Sequence, residues 1–117
     1  MPLDTMQLSL KDPKLFREQC YIDGKWSGAG SNATIDVTHK ATGQILGTIP
    51  KMGAAETRRA IEAAHAAYPG WRAKTAKERS KILRKWHDLM MENQEDLARL
   101  MTAEQGKPLA ESRGEIV

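Results

Sequence analysis

Two residues near the end of the chain, Gly106 and Pro108, constrain its fold more than any others. Ahead of them, Leu97, Leu100 and Met101 recur at helical spacing. Behind them, Leu109, Ala110, Glu111, Arg113, Glu115 and Ile116 begin a fresh helical pattern. A glycine just past the last apolar position supplies the left-handed residue that closes a helix, and a proline beyond it blocks continuation. Residues 88–108 therefore read as the end of one helix, a second short helix and a stop. Asn93 is placed to cap the short helix, with Asp96 three residues on to complement its dipole.

The helical half begins near Ala54. Ile61, Ala64, Tyr68 and Trp71 share one face, and Pro69-Gly70 is expected to break that helix before Trp71. Thr75-Ala76-Lys77-Glu78 is a capping box: the threonine hydroxyl accepts from the Glu78 amide while the glutamate reaches back. Ile82, Leu83, Trp86, Leu89 and Met90 then form an apolar stripe, with Arg79, Lys81, Arg84 and Lys85 largely away from it.

The other half reads as strands. Residues 1–14 lack periodicity, hold two prolines, and carry Asp4, Lys11, Asp12 and Pro13; they predict an irregular polar arm, ordered only if it packs on something. A short helical turn is expected over residues 15–17. Gln19-Cys20-Tyr21-Ile22 meets Lys25-Trp26-Ser27 across Asp23-Gly24, a pair whose tolerance of positive φ marks a tight hairpin. Thr34-Ile35-Asp36-Val37-Thr38 and Gln44-Ile45-Leu46-Gly47-Thr48-Ile49 make a second hairpin around a turn at residues 39–43, ended by Pro50. Two such hairpins form a thin layer that is marginal without a partner.

The length of 117 residues allows one small domain. Its six aromatic residues (three Trp, two Tyr, one Phe) make only a modest core. The net charge of +3, from 18 basic and 15 acidic residues that are interspersed, describes an ordinary solvated surface. A nucleic-acid reading would rest on Lys74, Lys77, Arg79, Lys81, Arg84 and Lys85, which lack interleaved aromatics and any recognised motif. Cys20 is the single cysteine, so an internal disulfide is impossible. No apolar run reaches spanning length and no signal-peptide core follows Met1. A cytoplasmic protein without nucleic-acid or membrane partners is expected.

The order Met-Thr-Ala-Glu-Gln-Gly-Lys-Pro-Leu-Ala-Glu, at 101–111, resembles a segment near the N-terminus of the NAD(P)-dependent aldehyde dehydrogenases. The preceding Asp-Leu-Met-Met-Glu-Asn-Gln-Glu-Asp-Leu-Ala-Arg-Leu looks most like the succinate-semialdehyde dehydrogenase branch, with glutarate-semialdehyde dehydrogenases similar here. The resemblance runs from about Leu15 to Val117. It implies an α+β fragment, two N-terminal β-hairpins followed by three to four helices, of the α/β aldehyde dehydrogenase fold. Residues 15–117 would be an incomplete N-terminal portion of the cofactor-binding domain. The last helical pattern meets no stop signal before Val117, which also leads to the expectation of a fragment.

What the resemblance implies for chemistry is mostly absence. The family oxidises aldehydes through a cysteine thiolate, with NAD or NADP taking the hydride. That nucleophile lies in a motif beyond position 117. Cys20, inside a strand without a neighbouring His, reads as a structural thiol. No catalytic and no cofactor-binding residue is assigned to this chain, which also has no Gly-x-Gly-x-x-Gly; Gly24, Gly28, Gly30 and Gly43 sit at turns or loops. His39, His65 and His87 are spaced unlike any local zinc ligand set. Glu95-Asp96 and Glu111 with Glu115 read as helix-end and helix-face charges rather than an acid–base pair. One transfer remains. Many family members hold a structural monovalent cation on two backbone carbonyls and an acid before Gly-Lys-Pro, which places it here on Val37, Thr38 and Glu104. His39-Lys40 stands where the family usually has Asn-Pro, and without the resemblance Glu104 is simply a helix-end glutamate.

Two functions follow as expectations. In the first, the chain is the N-terminal segment of a semialdehyde dehydrogenase that converts succinate semialdehyde to succinate with NAD(P). The intact enzyme would be homo-oligomeric, and the segment alone inactive and without bound cofactor. In the second, the chain is a stand-alone α+β interaction module derived from such a segment.

Overall fold

The computed structural model of the chain describes residues 6–117. Asp4 of the polar arm lies outside that range. Strand β1 (Cys20–Ile22) pairs antiparallel with β2 (Lys25–Ser27), Tyr21 opposite Trp26. The turn between them has Asp23 at φ 51° and Gly24 at φ 74°, the left-handed pair that matches the twist of a two-residue hairpin. Across it the Tyr21 and Trp26 rings stand 5.2 Å apart and tilted by 58°.

A second two-stranded sheet joins β3 (Thr34–Thr38) to β4 (Ile45–Pro50). Bonds from the His39 amide to the Gln44 carbonyl and from the Lys51 amide to the Ala33 carbonyl, both 2.8 Å, run its strands in opposite directions. Four helices follow: α1 (Ala54–Ala73), α2 (Ala76–Glu92), α3 (Gln94–Gln105) and α4 (Leu109–Ile116). The expected α+β order of two hairpins and then helices is present.

The chain divides into two compact units. The first gathers Met1–Glu18, Asp36–Thr48 and His87–Val117. Its interior holds Leu46, Ala98 and Ala103, with Asp96 and Ser112 buried among the polar residues. α3 packs on α4, and the Thr102 and Ser112 hydroxyls hydrogen-bond at 2.8 Å between them. A buried hydroxyl needs such a partner, and Ser112, fully buried, finds it there. Gly106 closes α3 at φ 90°, its amide donating to the Thr102 carbonyl at 2.8 Å. The described part of the arm, from Met6 on, is fastened. The Lys11 and Asp12 amides donate to the two Asp96 carboxylate oxygens at 2.9 and 2.8 Å, and the Met6 amide donates to the Ile45 carbonyl at 2.8 Å.

The second unit comprises Gln19–Ile35 and Ile49–Trp86. Glu56 reaches back to accept from the Gly53 amide at 3.0 Å and from the Gly30 amide at 2.9 Å, which starts α1 and ties a loop to it. The capping box of α2 forms as expected: the Glu78 amide donates to the Thr75 hydroxyl at 3.2 Å, and the Thr75 amide donates back to the Glu78 carboxylate at 2.7 Å. Neither α1 nor α2 buries a single residue.

Four local expectations are corrected. α1 does not break at Pro69-Gly70 but runs to Ala73 with the proline inside it. Proline removes one amide rung, and here His65, whose carbonyl loses that partner, is exposed to water in the second half of the helix. The short turn lies at Pro13–Leu15 rather than 15–17, because the Asp12 carboxylate caps it by accepting from the Lys14 amide at 3.1 Å. Asn93 precedes α3 but its side chain does not cap it: the amide group turns back and donates to the Leu89 carbonyl at 2.9 Å. With one residue between α2 and α3, that side chain serves the orphan carbonyls of the helix before it. Arg79, expected away from the apolar stripe, has its Nε buried.

Candidate functional site

The turn after β3 is held by its own side chains. Gly43 takes φ 75°, and its amide donates to the His39 carbonyl at 2.8 Å. The Thr42 amide donates to His39 Nδ1 at 3.2 Å, so that nitrogen carries a lone pair and the ring faces its own turn. Val37 and Thr38 are the last two residues of β3, both half-buried. Glu104 is exposed in the final turn of α3. The Lys40 amide donates to the Ala103 carbonyl at 3.4 Å. That bond sets the turn that follows Val37 and Thr38 against the helix end that carries Glu104. The Lys40 ammonium donates to the Thr38 hydroxyl at 3.4 Å, so a fixed positive charge stands at the same turn.

The other candidate residues are kept apart. Cys20 is half-buried in β1, and its carbonyl accepts the Ser27 hydroxyl at 3.4 Å. His65 lies exposed on α1. His87 Nδ1 stands 3.1 Å from the Asp88 carboxylate on an exposed surface. Among the described residues no group of three His, Cys, Asp or Glu side chains is arranged to hold a metal ion. No helix among them is long and apolar enough to cross a membrane.

Glu95, Asp96 and Glu115 have structural partners. Glu95 accepts from Arg113 Nε at 2.7 Å and from Arg113 Nη2 at 2.9 Å, and Arg99 Nε adds a third bond at 3.3 Å. The Arg113 fork, with Arg99 beside it, lowers the Glu95 carboxyl to about 2. Asp96 is also lowered, chiefly by the Asp12 and Lys11 amides. Glu115 pairs with Lys107. Sequence reasoning missed the role of Asp96 as anchor of the arm. Its one visible signal was a carboxylate at a helix start, which dipole complementation explains equally well.

The profile of the aldehyde dehydrogenase family matches residues 26–117. The chain belongs to the aldehyde dehydrogenase family. Glutarate-semialdehyde dehydrogenase of Pseudomonas aeruginosa is 67% identical over 109 residues, a match covering 93% of this chain and 23% of that protein. Succinate-semialdehyde dehydrogenase (NADP(+)) of Escherichia coli is 62% identical, again covering 93% of this chain and 23% of the relative. The crystal structure of succinate-semialdehyde dehydrogenase from Burkholderia pseudomallei superposes with a TM-score of 0.90 at 64% identity, over 92% of this chain and 22% of that one. Matching family structures include complexes with NADP and with nicotinamide adenine dinucleotide. The chain therefore spans about a quarter of the length of the aldehyde dehydrogenases it matches, and corresponds to their N-terminal part.

Proposed function

We propose that the chain serves as the N-terminal segment of a semialdehyde dehydrogenase that oxidises a short carboxylated aldehyde, such as succinate or glutarate semialdehyde, with NAD or NADP. The observation that carries this reading is identity of 62 to 67% to proteins of those two names, sustained over 93% of the chain. In such an enzyme the segment contributes outer hairpins and first helices of the cofactor domain, residues 15–117, preceded by an arm over residues 1–14. The bound nicotinamide would accept the hydride. The positive-φ glycines among the described residues, Gly24, Gly43 and Gly106, serve two turns and a helix stop, which supports reading the cofactor site as lying outside this segment. On this reading the chain alone is inactive and binds no cofactor, while the intact enzyme is a cytoplasmic homo-oligomer.

The test is a chimera in which this chain replaces the matching segment of the Pseudomonas aeruginosa relative. Semialdehyde-dependent reduction of NAD or NADP by the chimera, with none by residues 1–117 alone, is the expected result. Turnover by the isolated chain, or a folded chimera with none, overturns the reading.

The cation site belongs to the same proposal. Two carbonyls, of Val37 and Thr38, with the Glu104 carboxylate form a hard-oxygen set suited to a monovalent cation. The Lys40–Ala103 bond supports it, and the Lys40 ammonium competes with it. The expected outcome is a chimera that melts higher in potassium chloride than in choline chloride at equal ionic strength. Glu104→Gln removes the difference and Lys40→Ala enlarges it. Equal melting of the parent in both salts refutes the site.

A further inference from the structure

Arg99 lines two hollows of the first unit, one shared with acidic residues and one that holds no carboxylate among the described residues. Its Nε donates to Glu95 and its Nη1 to the Ser9 carbonyl, both at 3.3 Å, while Nη2 makes no hydrogen bond among the described residues. Glu95 is already engaged by two shorter bonds from Arg113, at 2.7 and 2.9 Å. Asp96 has both oxygens taken by the Lys11 and Asp12 amides. One Glu95 carboxylate therefore serves two guanidinium groups, and Arg99, on the longer bond, is the one left short of an acceptor.

The hollow without a carboxylate is an open cleft of 400 Å³. His39 borders it from the turn after β3. The Thr42 amide occupies His39 Nδ1, which leaves Nε2 as the nitrogen that carries the proton and donates. Met6 and Leu8 of the arm and Leu109 of α4, all half-buried, give the same cleft apolar walls. Two nitrogen donors without acceptors thus border a space of the size and mixed lining that small molecules occupy.

We propose that this cleft binds a small carboxylate with a short hydrocarbon chain, the carboxylate on Arg99 and His39 and the chain against Met6, Leu8 and Leu109. A planar guanidinium matches a carboxylate in shape and charge. A bare inorganic anion would leave the apolar walls uncovered, and an aliphatic amine would be repelled by Arg99. The inference does not rest on the function proposed above.

The experiment is photolabelling of residues 1–117 and of the chimera with a pentanoate that carries a diazirine, read by mass spectrometry. Saturable labelling at residues 6–9 and at Leu109, displaced by hexanoate, is the expected result. The alcohol counterpart of the probe labels these positions at least about tenfold less, and Arg99→Gln cuts labelling by the pentanoate about tenfold or more, as for loss of a charge-assisted bond. Leu8→Glu, on the arm and outside α3, does the same by setting a carboxylate in the cleft, so the site stays testable should Arg99→Gln unfold the chain. Diffuse labelling, or equal labelling by the alcohol, overturns the site. Displacement by sulfate as readily as by hexanoate makes it a general anion site and overturns the carboxylate class. Labelling of the free chain that the folded chimera lacks assigns the cleft to contacts within the larger fold and also overturns it.

Discussion

Arg113 donates to Glu95 through two nitrogens, at 2.7 and 2.9 Å, and so ties the last helix to the first turn of α3. The pair is exposed, and its geometry rather than its burial holds the Glu95 carboxyl at about 2 against an ordinary 4.5. A carboxyl lowered on folding adds stability that is fully present above its unfolded value and disappears as pH falls through the folded one. The α3–α4 pair should therefore lose stability between pH 4.5 and about 2. Glu95→Gln flattens that part of the profile, which melts followed by circular dichroism across this range will show. An unchanged slope removes Glu95 from the account.

Asp96 accepts the Lys11 and Asp12 amides across more than eighty positions of sequence. Asp96→Asn removes the charge and sets an amide donor against one of two donors. Hydrogen exchange at the Lys11 and Asp12 amides should quicken by about tenfold or more, as expected for losing a charge-assisted bond. Exchange at wild-type rates would mean the arm is held by its apolar residues instead.

Gly106 needs its missing Cβ twice over. Its φ is 90°, and an added Cβ would stand 3.1 Å from the Lys40 Cβ. Gly106→Ala should cost about 1–2 kcal/mol in denaturant melts, from the left-handed penalty alone. A neutral substitution would show that the α3 stop is set by Pro108.

Thr75 and Asn93 both look like caps in the sequence, and only Thr75 forms one. Thr75→Ala should cost about 1 kcal/mol, whereas Asn93→Ala should leave the start of α3 intact. Helix content and melting of the two variants, measured side by side, decide it. Equal losses would return Asn93 to the capping role.

Much of the fold was legible because its signals are local. Asp23-Gly24 accepts the turn angles of a hairpin, Thr75 and Glu78 exchange bonds three residues apart, and Gly106 stops a helix with its own backbone. Each depends on atoms within about one turn, so the residue types suffice. The candidate cation residues were named by family likeness, and the structure adds the Lys40–Ala103 bond that relates the turn after β3 to the end of α3.

What the sequence by itself determined, then, is the order of strands and helices, the Asp23-Gly24 turn, the Thr75 cap, the Gly106 stop, and membership of a family whose segment orders match. Tertiary structure alone decided that Asp96 anchors the arm, that Glu95 rather than Glu111 or Glu115 takes Arg113, and that Arg79 buries an Nε without a partner among the described residues. The reason is physical. A hydrogen-bond donor can choose among many distant acceptors, and only the packed chain brings one of them within 3 Å.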